Sequence, residues 1–210
     1  MKKFLSLVLA LVMTMSLVTV SAGAKDFTDD ASVKYAEGVK VMDLLGVING
    51  YEDGSFKPAN TLTRGAAAKI ICNLLLTPSI ADTLPADKTG FKDVPSTNTF
   101  AKYIAYCANA KIINGYSDGT FRPAATLTRA QFCKMAVYAM GCGKELGKYS
   151  TVTVFPDVKP SHWAASYINL ASKGKAIILG FADGYFRPDS KVTYAQAVTI
   201  LMRQLGYTDA

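Results

Sequence analysis

The chain has 210 residues, 50% hydrophobic and 19% charged, with a formal net charge of +7, four cysteines and a single histidine. One histidine gives no Ser/His/Asp, Cys/His or zinc-ligand set to assemble, and the wide spacings of Cys72, Cys107, Cys133 and Cys142 fit neither a CxxC metal site nor a compact disulfide framework. No run of Lys or Arg appears, which argues against nucleic acid as a partner.

Residues 1–24 read as a signal peptide. Lys2 and Lys3 form the positive start, Phe4 to Val20 the apolar stretch, and Ala22-Gly23-Ala24 a small-x-small cleavage pattern. The stretch approaches the length of a membrane span, but the polar run from Lys25 to Asp30 favours cleavage, and no other segment is long and apolar enough to cross. Its removal takes only Lys2 and Lys3 from the charge balance and leaves a net +5. The expectation is an exported, soluble protein, without a membrane role after cleavage, whose positive excess suits anionic polymers.

The remainder repeats itself. Gly50-Tyr51-Glu52-Asp53-Gly54-Ser55-Phe56-Lys57-Pro58 returns as Gly115 to Pro123 and as Gly180 to Pro188, and the step from Asp53 to Asp118 equals that from Asp118 to Asp183. A fixed period implies one supersecondary unit used three times, neighbouring copies burying one another's apolar faces. The expected division is 25–86, 87–150 and 151–210.

Each copy opens on a short Phe-x-Asp segment: Phe27 to Asp29, Phe91 to Asp93, and Phe155 to Asp157. An amphipathic helix follows, its apolar face set by Tyr35, Val39, Met42 and Leu45, then by Phe100, Tyr103, Ile104 and Cys107, then by Trp163, Tyr167 and Leu170. Gly46 and Gly174 stand where a C-cap is wanted. The Asp-Gly turn comes next, closed by Pro58, Pro123 and Pro188. Thr63, Thr128 and Thr193 are expected N-caps of a second helix, with capping boxes at Thr128/Gln131 and Thr193/Gln196 but not at Thr63/Ala66. Polar linkers are expected around Thr77 to Gly90 and Gly141 to Thr153. Cys72, Cys107 and Cys133 are expected to be buried thiols, and Cys142, between two glycines, the most accessible. One copy has too little core to stand alone, so the predicted fold is all-α, three helical lobes sharing a core.

At these residues the chain resembles the S-layer homology family. The likeness rests on the Phe-x-Asp opening, His162-Trp163 at the start of the third copy's first helix, Ile-Asn-Gly-Tyr-x-Asp-Gly-x-Phe, the following Lys/Arg-Pro, and the Leu-Thr-Arg that begins helix two. It covers essentially all of residues 25–210. The resemblance implies a pseudo-threefold bundle with inter-repeat grooves that bind secondary cell-wall polysaccharide, often carrying pyruvate ketals on N-acetylmannosamine. It implies non-covalent anchoring at the cell wall or S-layer, without catalysis, metal or cofactor, and with other S-layer or envelope proteins as further partners.

The residues suggest a mechanism for that binding. Arg64 and Arg129 follow the Thr caps, where free backbone N–H groups and the helix dipole favour an anion, and a guanidinium adds planar two-point bonding to a carboxylate. Asp29, Asp93 and Asp157 are acceptors for sugar hydroxyls or for orienting the arginines, or else caps and turn formers. Trp163 is the best candidate for a sugar platform, the aromatic positions otherwise reading as core. Gly50, Gly115 and Gly180 are candidates for close approach of a ligand to backbone, and Lys57, Arg122 and Arg187 read as solvated. The third copy departs from the pattern, with Tyr194 where Arg64 and Arg129 stand, and a longer step from Trp163 to Asp183 than from Phe100 to Asp118. The groove depending on Tyr194 is therefore expected to be weakened or structural. In the first copy Gly65-Ala66 replaces the family's Ala-Glu, which loosens that helix start.

Rival readings fare unequally. An enzyme lacks a singular site, its acids being repeated turn and cap positions. A calcium loop lacks the alternating oxygen ligands and closing Glu of an EF-hand. A self-assembling surface-layer protein, or the targeting fragment of a larger exported wall enzyme, stays open.

Overall fold

The computed structural model describes residues 26–29, 36–86 and 88–207. The signal-peptide expectation for residues 1–24 and the helix-face position Tyr35 lie outside them. Within the described residues the chain is helical, with no strand longer than an isolated bridge. The all-α expectation holds.

The helices are α1 (Ala36–Leu44), α2 (Arg64–Leu76), α3 (Pro78–Asp82), α4 (Ala101–Asn109), α5 (Arg129–Ala139), α6 (Ala165–Asn169) and α7 (Tyr194–Gln204). Thr63, Thr128 and Thr193 cap α2, α5 and α7 through their side chains, with reciprocal capping boxes at Thr128/Gln131 and Thr193/Gln196. The two linkers are not wholly irregular. The first contains α3, with Pro78 at its start, and the second winds into a 3₁₀ helix over Cys142–Tyr149. Asn169 holds the second against α6, its amide donating to the carbonyls of Tyr149 and Val152.

The second helix of each copy packs on the first helix of the next: α2 on α4, α5 on α6, and α7 back on α1. Backbone hydrogen bonds close the same circuit at its centre. The Leu62 N–H donates to the Val192 carbonyl (2.9 Å), Val192 to Leu127 (3.0 Å), and Leu127 to Leu62 (3.0 Å). These three side chains are fully buried and hold equivalent places in the three copies. Each segment before a Thr cap is too short to form a sheet alone, so its polar backbone groups find partners in the other two copies. The hub joins one continuous core that takes residues from all three copies.

The third copy's altered spacing has a local cause. The step from Phe91 to Phe100, the N-cap of α4, equals that from Phe155 to Ala164, the N-cap of α6. Ala164 is thus the counterpart of Phe100, and Trp163 stands one position earlier than its apparent place. After α6 the chain makes a π turn over Leu170–Gly174. The carbonyl of Cys107 accepts from Ile112 and Ile113, and that of Ala171 from Ile177 and Ile178, one residue further on. The wider i+5 turn absorbs the extra residue. Gly46 has the expected left-handed φ of 65°, but in the third copy that conformation falls on Ala176 (54°), not Gly174. Ala176 stands as far before Asp183 as Gly46 before Asp53 and Lys111 before Asp118, so the positive-φ position keeps its place relative to the loop and Gly174 is not its counterpart.

Phe100 also explains Gly65. A Cβ on Gly65 would lie 2.6 Å from the Phe100 ring, so glycine at the second position of α2 admits the neighbouring copy's aromatic. Where Phe100 becomes Ala164, the matching position becomes Ala130.

Candidate functional site

The repeated Asp-Gly segment is a tight loop in all three copies. In the second, Tyr116 N–H donates to the Thr120 carbonyl (2.8 Å), Gly119 N–H returns to Tyr116 (3.0 Å), and Asp118 accepts from the Thr120 N–H (2.9 Å). Gly119 has φ of 79°, and Arg122 has φ of 59° although it is not glycine. That unusual backbone carries the cation back over its own loop. Arg122 pairs with Asp118 at 2.7 Å and lies 4.2 Å from the Tyr116 ring centre. Lys57 repeats this with Asp53 and Tyr51, and Arg187 with Asp183 and Phe181. These cations are loop staples, not merely solvated. The thrice-repeated spacing of four from Asp to cation is the sign of it in the sequence.

Asp29, Asp93 and Asp157 clamp these loops. Asp93 accepts from the N–H groups of Phe121 and Arg122 (2.7 Å each), Asp29 from Phe56 and Lys57 (2.8 Å each), and Asp157 from Phe186 (2.9 Å) and Arg187 (2.6 Å). The Phe56 N–H lowers the pKa of the Asp29 carboxyl, and burial, acting the other way, does not cancel it. Burial pushes Asp93 upward, but its backbone donors outweigh it and its pKa is lowered. Among the roles open to these acids, the turn-holding one is the one visible in the geometry.

Gly50, Gly115 and Gly180 likewise serve the fold. A Cβ at these positions would stand 2.3, 2.4 and 2.5 Å from the rings of Phe27, Phe91 and Phe155, respectively, the opening aromatics of their own copies. The close approach expected for a ligand is made by phenylalanine.

Arg64 and Arg129 reach from one copy into the next. Arg64 Nε donates to the Phe121 carbonyl (2.7 Å) and Nη2 to the Asn114 carbonyl (3.0 Å), its guanidinium 4.4 Å from the Phe121 ring and 5.0 Å from Tyr116. Arg129 Nε donates to the Phe186 carbonyl (2.9 Å), its guanidinium 4.6 Å from Phe181 and 4.9 Å from Phe186. Both are buried, and burial lowers the pKa of each. Among the described residues the two terminal nitrogens of Arg129 meet no protein acceptor, nor does Nη1 of Arg64. The helix starts are not open to an anion in the expected way. Arg64 and Gly65 N–H groups donate to Ala125 and Pro123, Arg129 and Ala130 to Ser190 and Pro188, and the Thr caps take the next donor. The fold uses these groups to join copies, so only the guanidinium ends stay available.

The third junction runs from copy three back to copy one. Tyr194 and Ala195 N–H groups donate to Asn60 and Pro58, as at the other two junctions. The Tyr194 ring meets Phe56 edge-on at 6.3 Å, and burial, then the neighbouring Tyr51, raises its phenol pKa. A cavity of 140 Å³ opens among Asn49, Gly50, Tyr51, Phe56 and Tyr194. It adjoins an open groove of 510 Å³ along Gly50, Tyr51, Glu52, Asp53 and Lys57.

Trp163 is 54% exposed. It lies against His162 (5.8 Å) and Tyr167 (6.4 Å), and Tyr167 meets Tyr138 of α5 through ring contact and a 3.1 Å hydroxyl pair. Among the described residues no group of three or more His, Cys, Asp or Glu is placed to hold a metal ion, and no helix is long and apolar enough to cross a membrane.

Fold and junctions together define a three-repeat helical module whose basic and aromatic side chains are shared between copies. The S-layer homology domain model matches residues 26–68, 90–133 and 154–198, and the chain belongs to that family. It is similar to a cellulosome-anchoring protein of Acetivibrio thermocellus, 36% identical over 168 residues that make up 75% of this chain and 35% of that one. It is 41% identical over 98 residues to a surface layer protein of Brevibacillus choshinensis, covering 46% of this chain and 8% of that one. A surface-layer 125 kDa protein of Lysinibacillus sphaericus matches at 29% identity over 213 residues, 100% of this chain and 17% of that protein. The chain thus spans about a third or less of the length of these relatives.

Proposed function

We propose that this chain anchors protein to the bacterial cell wall, without catalysis or cofactor, by binding an anionic secondary cell-wall polysaccharide at the Arg64 and Arg129 junctions. A leader at residues 1–24 and the repeat division 25–86, 87–150 and 151–210 belong to the proposal, as does a cell-surface location. The observation that carries it is the posture of the two arginines. Each is held through Nε by a carbonyl of the next copy and braced by aromatic rings; Arg64 also gives Nη2 to the Asn114 carbonyl, and the remaining terminal N–H groups are left for a ligand. A preorganised guanidinium loses little freedom on meeting a carboxylate and bonds it in two places. Relatives named for anchoring and for surface layers support the same reading.

The test is calorimetric titration of the full chain with purified wall polysaccharide, intact and stripped of pyruvyl groups, beside Arg64→Lys and Arg129→Lys. Lysine keeps the charge but loses the fork. Binding that requires the pyruvyl group and weakens about tenfold or more in either variant, in protein that still folds although its melting temperature falls with the lost inter-copy hydrogen bonds, is the expected result. Folded protein that binds neither polymer overturns it, and glycan-independent assembly would favour a lattice protein instead.

A further inference from the structure

We propose that the Tyr194 junction is a separate saccharide subsite that takes an uncharged pyranose unit rather than an acidic one. The proposal rests on the wall-glycan reading above for its class of ligand, and reverses the expectation that this junction is weakened or structural.

Three observations converge. The first is space. At the other junctions a guanidinium stands over the loop aromatic from the neighbouring copy, 5.0 Å from Tyr116 and 4.6 Å from Phe181. At the third, Tyr194 packs on Phe56 as Arg64 and Arg129 pack on Phe121 and Phe186, but brings no cation, and a 140 Å³ cavity lined by Tyr194, Tyr51 and Asn49 runs into the 510 Å³ groove. The second is charge. Relative to its counterparts this junction has lost the cation of Arg64 or Arg129, and it has gained Glu52 where Ser117 and Ala182 stand. One cation fewer and one anion more is a change of two charges. Lys57 is engaged with Asp53 at 2.8 Å. A carboxylate ligand entering here meets repulsion from Glu52 and no guanidinium. The third is surface chemistry. Tyr51 is 40% exposed, the Lys57 ammonium lies 4.3 Å from its ring centre, and the remaining apolar ring surface suits the C–H face of a sugar. Asn49 and Tyr194 line the same cavity, and an amide and a phenol can serve as donors or acceptors to neutral hydroxyl and acetamido groups. An apolar ring with a few converging neutral polar groups is the composition of a small-ligand site.

The experiment uses a matched pair of probes, N-acetylmannosamine and its pyruvyl ketal, titrated into the full chain while the ring signals of Tyr51 and Tyr194 are followed by NMR. The neutral sugar is expected to move both rings, and the ketal to bind there about tenfold more weakly. Tyr194→Arg, which restores the guanidinium, is expected to lose the neutral response and prefer the ketal. The exposed Glu52→Gln is expected to narrow the difference between the two probes, and it decides the matter should Tyr194→Arg not fold. Tyr51 and Tyr194 signals unmoved by millimolar neutral sugar, or moved equally by the ketal, overturn the proposal. The anchoring reading is followed separately, at the Phe121 and Phe186 signals beside the arginines. A ketal response confined to those rings sustains the anchor and sinks the subsite, and a neutral response confined to Tyr51 and Tyr194 does the reverse.

Discussion

Gly115→Ala separates a structural glycine from a ligand-facing one. The added methyl would stand 2.4 Å from Phe91 Cε1, 2.8 Å from Cδ1, and 2.8 Å from the Thr120 carbonyl. The ring cannot swing aside freely, because it packs on Phe121 with centroids 5.3 Å apart. The carbonyl is held by the Tyr116 N–H at 2.8 Å. Overpacking of this kind costs about 1–3 kcal/mol, and two simultaneous clashes put this one in the upper part of that range. For a chain of this length that lowers Tm by roughly 5–10 °C. Thermal melts and urea titrations of wild type, Gly115→Ala, Phe91→Leu and the double variant form the assay. Leucine retracts the ring edge, so the double variant is expected to be more stable than the sum of single losses by about 1 kcal/mol. The carbonyl clash persists, so rescue is partial. An unchanged Tm for Gly115→Ala, together with lost polysaccharide binding, would refute the argument and return the glycine to the ligand.

The acid clamp makes stability pH-dependent in a stated direction. The folded pKa values of Asp29 and Asp93 lie below the ordinary carboxyl value. Their contribution is therefore present above about pH 4, and is lost as pH falls through the lowered folded values. The Asp29→Asn/Asp93→Asn variant is expected to show a flatter Tm profile below about pH 4 than wild type, and parallel profiles would contradict the clamp. Burial pushes the Cys72 thiol to about 12 and raises those of Cys107 and Cys133. In native protein an aromatic disulfide reagent should label Cys142 first and the other three only on unfolding. Leu127→Ala at the hub is expected to cost about 2–5 kcal/mol by cavity formation, read from the urea midpoint. A loss below about 1 kcal/mol would mean the centre can collapse around the gap.

Much of this is legible in the sequence because it is local. The Thr caps, both capping boxes, the missing box at Thr63, the Asp-Gly turns and the buried thiols depend on residues within a turn of one another, and periodicity carries them. The three copies and the all-α class follow from the fixed repeat. What needs the tertiary structure is every statement about which copy a group serves. Arg64 can be placed at a helix start from sequence, but not that its N–H groups and guanidinium meet carbonyls of the next copy. The repeated acids and glycines can be singled out, but not that backbone N–H groups and phenylalanine rings occupy them. The residue inserted after α6 is hidden, because an i+5 turn takes it up without interrupting an apolar pattern, whereas the offset of Trp163 follows from counting forward from Phe155. The junction at Tyr194 looks like a loss by residue type alone. Its cavity is lined by Asn49, Tyr51 and Phe56 of one copy and Tyr194 of another, and sequence does not encode how side chains meet across an interface between copies.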